Sequence, residues 1–108
     1  MILFKPEHVG LILRGEKTQT RRIWKRQRVK IGSVQKAKLK MLSTEYFALL
    51  KITGVRQERL GDISEADAGA EGRYTLESYR QKWIEINGSW NPDQRVYVVD
   101  FRLEGRRR

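Results

Sequence analysis

The chain has 108 residues, of which 39% are apolar and 33% charged, and its formal net charge is +10. This length suits a single domain, and the absence of cysteine excludes disulfide bonds and thiolate metal sites. Because His8 is the single histidine, a histidine-based zinc site is also not expected, and we predict neither a metal nor another cofactor.

The N-terminal stretch MILFKPEHVGLIL is not typical of a signal peptide. It lacks a basic start, and Lys5, Pro6 and Glu7 interrupt its apolar run. No segment approaches the roughly 18 apolar residues of a membrane span. We therefore expect a soluble, cytoplasmic protein with no membrane partner, and the sequence leaves its oligomeric state open.

The first half of the chain predicts short strands around one helix. Residues 1–4 and 18–24 have strand character, and between them Pro6 begins a helix that Gly15 ends as a C-cap. A third strand is predicted over residues 34–42 because polar and apolar side chains alternate there. Its outward side chains would be Lys36, Lys38 and Lys40, and its inward ones Ala37, Leu39 and Met41.

The second half predicts two long strands separated by two helices. Residues 46–60 form a strand that bends near Gly54. Ser64 and Thr75 each cap a helix, and residues 96–103 form a strand with apolar side chains on both faces, which is typical of a central position. The apolar stripe of the second helix comprises Leu76, Tyr79, Trp83 and Ile86.

Together these elements predict an α+β fold, a small mixed β-barrel with helices at its mouth. We assign residues 1–104 to this single domain. The final GRRR, residues 105–108, is expected to be a basic, disordered tail.

The positive charge is concentrated in one quarter of the chain. Residues 14–40 contain eleven basic side chains and one acid, Glu16, whereas the remaining residues are balanced. Such a segment attracts polyanions, nucleic acid first among them. For Lys36, Lys38 and Lys40 the alternative, a solvated face without a partner, stays open. The predicted nucleic-acid-binding residues are Lys25, Arg26, Arg28, Lys30, Lys36, Lys38 and Lys40.

Three separated stretches resemble one family. GEKTQTRR fits the G-x-K-x-x-x-x-R signature of ASCH domains, with Gly15, Lys17 and Arg22 in its fixed places. LGDISEADAGAEGRYTLESYRQKW is similar to the acidic helical insert of that family, and WNPDQRVYVVDFRLE to its closing loop and strand. The resemblance implies a PUA-like barrel of five or six strands with two or three helices over one opening.

The resemblance also implies that the chain binds RNA or a nucleotide or nucleoside in a cleft. On this basis we predict ligand-binding roles for Gly15, Lys17, Arg21 and Arg22. Trp24 and Trp90 are candidates for stacking on a base, with interior packing as the alternative.

A second function stays open, because the chain is similar in length to a small ASCH branch of amidohydrolases that deacetylate N4-acetylcytidine. That likeness implies Lys17, Thr20 and Glu71 as catalytic residues. Thr20 would be the nucleophile, and Lys17 would be its base if its pKa were lowered. Glu71 would protonate the leaving amine or activate the hydrolytic water. Lys17 reaches Thr20 only from a turn before the strand, since on an extended strand the two would lie on opposite faces. The alternatives are that Thr20 is an ordinary strand residue and that Glu71 is a surface carboxylate at a helix end.

Overall fold

The core of the molecule is a curled five-stranded sheet. The computed structural model describes residues 1–106, and it orders the strands β1-β3-β4-β5-β2, with β1 parallel to β3 and the other neighbours antiparallel. Arg22 Nη2 donates to the Leu3 carbonyl at 2.5 Å, which joins the two outermost strands. The sheet therefore curls into an α+β half-barrel, as predicted. Its strands are β1 (Ile2–Leu3), β2 (Gln19–Arg22), β3 (Val34–Lys38), β4 (Ala48–Arg59) and β5 (Arg95–Arg106).

Three α-helices lie in the described part of the chain: α1 (Val9–Leu13), α2 (Glu65–Gly72) and α3 (Leu76–Asn87). Short 3-10 turns precede α1 at Pro6–His8 and follow β4 at Leu60–Asp62. None of the helices in residues 1–106 has both the length and the apolar character needed to cross a membrane.

The predicted helix caps are confirmed. The Ser64 side chain accepts a hydrogen bond from the Asp67 amide at 3.1 Å and begins α2. Thr75 and Ser78 form a reciprocal capping box at the start of α3. Each cap satisfies an amide that the helix leaves without an internal partner, so both starts follow from local sequence.

The predicted bend in the long strand is also confirmed. The β4–β5 register shifts between Ile52 and Gly54. A Cβ at Gly54 would lie 3.0 Å from Asp100 Oδ2, so glycine lets this carboxylate approach the backbone. The bend helps the sheet to curl, which is the usual role of glycine within a strand.

Strand β5 connects two apolar clusters, which explains why both its faces are apolar. Val99 and Phe101 join the cluster inside the curled sheet, and Val96 and Val98 join the cluster under α2 and α3. Trp83 is buried in the second cluster, as predicted.

Other side chains at the two clusters are less buried. Trp24 and Trp90 are partly buried and pack against the first and second clusters respectively. The prediction for the α3 stripe is only partly right, because Leu76 and Ile86 are 39% and 42% exposed.

The third strand is shorter than predicted. It ends at Lys38, where its pairing with β1 also ends, and its pairing with β4 begins only at Ala48. Beyond Lys38 the chain therefore has no strand partner. Leu39 and Met41, predicted to point inward, are 46% and 60% exposed.

Strand β5 continues past residue 104, where we predicted that the domain would end. Gly105 and Arg106 belong to β5 and pair with Leu49 and Ala48. The ladder hydrogen bonds to β4 override the basic, turn-like composition that predicted a tail. The rest of that predicted tail, residues 107–108, lies outside the described residues.

Candidate ligand-binding cleft

A cleft of about 400 Å³ opens where β1 and β2 face α2 and α3. Its volume is within the range of small-molecule sites. Aromatic rings and the charged signature residues both line it, and the Phe4 ring lies close to Lys17 and Arg22. The lining includes Phe4, His8, Lys17, Thr20, Arg21, Arg22, Glu71, Tyr74, Tyr79 and Trp83.

Lys17 occupies the turn between α1 and β2. Gly15 has a φ of +74°, a left-handed conformation that suits glycine. The amides of Glu16 and Lys17 both donate to the Leu11 carbonyl, at 2.8 and 3.1 Å. Lys17 thus precedes the strand, as the reach to Thr20 requires, and its side chain is only 2% exposed.

Glu71 comes from the last turn of α2 and meets Lys17 inside the cleft. Lys17 Nζ donates to Glu71 Oε1 at 3.0 Å, to the Glu71 carbonyl at 2.7 Å and to the Gln19 carbonyl at 2.9 Å. Three acceptors match the three N–H groups of an ammonium. These acceptors favour the charged form of Lys17, whereas the burial of its side chain disfavours that form.

The pKa of Lys17 lies below its ordinary value, and burial is the largest cause. Burial lowers the pKa of Lys17, the Glu71 carboxylate opposes that shift, and Arg22 and Arg21 add to it. Burial also raises the pKa of Tyr79, and so does the nearby Glu71 carboxylate. At neutral pH Tyr79 therefore presents a protonated phenol at the cleft.

Arg21 lies on the opposite face of β2 from Thr20 and is fully enclosed by carboxylates. Its guanidinium contacts Glu58 Oε1 at 2.6 Å, Glu71 Oε2 at 3.0 Å and Asp67 Oδ2 at 3.3 Å. It also donates to Gln19 Oε1. Burial alone would lower the pKa of Arg21, but Glu58 and Glu71 reverse the shift and raise it.

These contacts bear directly on the ligand-binding role predicted for Arg21. Its side chain has no exposed surface, and its donors are directed at protein acceptors. Arg21 thus lines the cleft, but its donors are occupied by protein acceptors, and one of them holds the second oxygen of Glu71.

Thr20 and Arg22 share the other face of β2. Arg22 Nε donates to Thr20 Oγ1 at 3.1 Å, and the Arg22 guanidinium lies 5.2 Å from the centre of the Phe4 ring. Among the described residues, Thr20 Oγ1 makes no hydrogen bond with Lys17 Nζ. The two catalytic candidates line one cleft, but in this state they are not a nucleophile–base pair.

His8 and the tyrosines are cleft residues to which the sequence assigned no role. His8 Nε2 and the Tyr74 hydroxyl are 2.8 Å apart. Burial lowers the pKa of His8 to about 4, and the Lys17 charge adds to this, so the ring is neutral at pH 7. A buried single histidine close to a tyrosine is visible only in three dimensions, because the two residues are 66 positions apart.

The remaining predicted binding residues lie outside the cleft. Gly15 shapes the turn and is absent from the cleft lining. Of the predicted nucleic-acid-binding residues, Lys38 is half-buried and donates to the Ser43 carbonyl at 2.7 Å. The others are exposed: Lys25, Arg26, Arg28, Lys30, Lys36 and Lys40.

No family model and no curated protein matches the sequence. The fold, however, matches solved structures. A protein of the DUF984 family from Enterococcus faecalis has a TM-score of 0.71 and 19% identity, over 93% of this chain and 68% of its own. A variant of ZmASCH from Zymomonas mobilis has a TM-score of 0.68 and 15% identity, over 99% and 70%. An ASCH domain from Lactobacillus crispatus has a TM-score of 0.65 and 19% identity, over 88% and 69%.

Proposed function

We propose that this chain, which has the fold of ASCH domain structures, binds RNA or a nucleotide or nucleoside in the cleft, with Lys17 and Arg22 as ligand-holding residues. The observation that carries the proposal is the convergence of the Lys17–Glu71 pair and Arg22 on an aromatic-walled cleft of about 400 Å³. Family resemblance supports it, since ASCH domains are generally associated with RNA or nucleotides. A cytoplasmic location would fit such a ligand and is part of the proposal.

The aromatic residues of the cleft lining suit the base of a nucleotide, and its cationic residues suit the phosphate. Phe4, Tyr74 and Trp83 line the cleft with aromatic rings against which a flat base can pack. Arg22 and the exposed Lys5 lie on the lining as cations for a phosphate. Glu71 and the Tyr79 hydroxyl supply an acceptor and a donor for the polar edge of a base.

Calorimetric titration with cytidine, CMP, UMP, AMP and GMP tests the proposal. We expect at least one ligand to bind, and Lys17→Ala and Arg22→Ala to weaken it about tenfold or more, as for loss of a charged hydrogen bond. Arg80→Ala is a matched control, because Arg80 is exposed and does not line the cleft. Equal losses in all three variants, or no binding of any nucleotide or short RNA, would contradict the proposal.

The alternative function is hydrolysis of the acetamide of N4-acetylcytidine. It is favoured by one observation, that Lys17, Thr20 and Glu71 line the same cleft. In this scheme the Lys17 amine takes the Thr20 hydroxyl proton while Thr20 Oγ bonds to the acetyl carbon. The C–N bond then breaks as Glu71 passes the proton held by Lys17 to the leaving amine. Water attacks the threonine ester, acetate leaves, and Thr20 regains its hydroxyl proton.

The hydrogen bonds of Lys17 weigh against this alternative in the unliganded protein. A base needs a free lone pair, whereas Lys17 Nζ is bound by three acceptors. Substrate binding would have to displace Glu71 or the Gln19 carbonyl first.

Release of cytidine from N4-acetylcytidine, followed by chromatography, decides between the two functions. Turnover lost in Lys17→Ala and in the near-isosteric Thr20→Val would establish the amidohydrolase. If turnover survives Thr20→Val, the protein is an amidohydrolase, but Thr20 is not its nucleophile. Nucleotide binding without turnover would support the binding function and exclude the amidohydrolase.

A further inference from the structure

A second depression adjoins the cleft and shares one lining residue, Leu39, with it. This depression has a volume of about 290 Å³ and is formed by the segment that follows β3. We call it the 39–47 groove. It is lined by Leu39, Lys40, Ser43, Glu45, Tyr46 and Phe47.

Exposed cations without carboxylate partners follow two of the cleft-lining residues in the chain. Two chain segments leave the cleft at Ile23 and Leu39, and both of these side chains line it. Exposed Lys25 and Arg26 follow the first, and exposed Lys40 follows the second. Within residues 1–106, none of these three cations forms an ion pair with a carboxylate.

Several other exposed cations are paired, and among the described residues the exposed Arg80 and Arg95, which form no ion pair, line neither depression. Exposed Arg56, Arg59 and Arg73 each pair with at least one carboxylate at 4.0 Å or less. Cations that are paired attract a polyanion less, since part of their field is cancelled locally. The rim shared by the cleft and the groove is therefore a favourable path for a phosphate backbone.

The groove also carries a ring suited to a base. Lys36 Nζ lies 5.2 Å from the centre of the Tyr46 ring. Glu45 is the one acidic side chain in the groove lining, and it disfavours a phosphate inside the groove. A base in the groove, with its phosphates toward Lys36 and Lys40, satisfies both constraints.

We propose that the 39–47 groove is a second nucleotide subsite, continuous with the cleft, so that the preferred ligand is a single-stranded oligonucleotide rather than a free nucleotide. This inference rests on the proposed function, because one nucleotide must occupy the cleft. The substrate class follows from charge and shape: an aromatic ring for a base, and unpaired cations for the backbone.

A length series tests the inference. Fluorescence anisotropy would compare labelled single-stranded RNAs of about three, six and nine nucleotides, and CMP would be measured as a competitor. We expect the longest strand to bind about tenfold or more tighter than CMP at low salt, with affinity falling as salt rises, since each phosphate contact releases counterions.

Charge-reversal variants test whether residues at the 39–47 groove cause the higher affinity of longer strands. The double variant Lys36→Glu/Lys40→Glu is expected to weaken the longest strand about fivefold or more and to remove most of the length advantage. Tyr46→Ala is expected to weaken it about threefold or more by loss of stacking. Arg80→Glu/Arg95→Glu is the matched control, with the same charge change at exposed residues that line neither depression. Thermal unfolding would verify that all variants fold.

Each other outcome overturns the inference. If CMP binds through Lys17 but longer strands gain nothing, the groove is not a subsite and the proposed function stands. If the control weakens binding as much as the groove variant, only net charge matters. If poly-glutamate competes as well as RNA, the surface suits an acidic protein instead. If neither CMP nor RNA binds, the proposed function fails as well.

Discussion

Lys17 Nζ lies 3.0 Å from Glu71 Oε1 and 2.7 Å from the Glu71 carbonyl oxygen, although the two residues are 54 positions apart. The pair fastens the end of α2 to the turn before β2, and it also forms the charged wall of the cleft. One contact thus contributes both to stability and to the candidate site.

Removing either partner of this pair is expected to be costly. Lys17→Met and Glu71→Gln should each lower the free energy of unfolding by about 3–5 kcal/mol, because each removes a buried ion pair and leaves the other side chain with fewer partners. After Lys17→Met, Glu71 retains its ion pair with Arg21. The double variant should lose less than the sum of the two. Urea denaturation of the four proteins measures this coupling. Additive losses would show that the two side chains stabilise the fold independently.

Substitution of Arg21 is expected to affect mainly stability, and substitution of Arg22 mainly ligand affinity. Arg21→Lys should lower the free energy of unfolding by about 2–4 kcal/mol, since an ammonium cannot reach Glu58, Asp67 and Glu71 together. Arg22→Lys should cost about 1 kcal/mol but reduce nucleotide affinity about fivefold, through loss of its planar donor geometry. Denaturation and calorimetry on both variants check this. A reversed pattern would restore a direct ligand role to Arg21.

His8 gives stability a specific dependence on pH. Burial lowers the pKa of His8 to about 4, whereas an unfolded histidine titrates near 6.5. Between these values the unfolded state takes up a proton that the folded state does not, so stability falls as the pH falls. The contribution is complete above about pH 6.5 and is lost as the pH falls through about 4. After allowance for solvent screening we expect about 1–2 kcal/mol.

The control for this prediction is His8→Gln, which retains a polar partner for Tyr74. The free energy of unfolding, measured from about pH 7 down to 5, should fall more steeply in the parent protein than in the variant. Parallel curves would mean that His8 takes up its proton at the same pH in the folded and unfolded states.

Two glycines are expected to respond to alanine in opposite directions. Gly69 lies inside α2, and a Cβ there meets no atom within 4 Å, so Gly69→Ala should stabilise the protein by about 0.5–1 kcal/mol. A Cβ at Gly61 would lie 2.7 Å from Pro92 Cβ, so Gly61→Ala should destabilise it by about 1–3 kcal/mol. Thermal unfolding of the pair provides the check, and equal effects would contradict this packing at Gly61.

Local features of the fold could be predicted from the sequence because they depend on neighbours a few residues away. Ser64 and Thr75 cap their helices through amides three positions ahead. Gly15 ends its helix through its own backbone freedom, and Gly54 marks a bend within its own strand. The two-sided apolar pattern of residues 96–103 likewise indicated an interior strand.

Strand ends could not be predicted in this way, because they depend on a partner elsewhere in the chain. The alternation of residues 34–42 continues past Lys38, but the pairing with β1 ends there. The composition of Gly105 and Arg106 suggests a tail, but β4 pairs with them.

The candidate site shows the same division. The sequence by itself determined that Lys17, Thr20 and Arg22 are close together, because they lie in one turn and one short strand. Only the tertiary structure decided that Glu71 meets Lys17, that Arg21 is held among carboxylates, and that His8 contacts Tyr74. Alternation along β2 separates Arg21 from Thr20 but does not reveal what covers each face. That depends on how α2 packs over the strand, and the ion pairs of the site are formed by that packing.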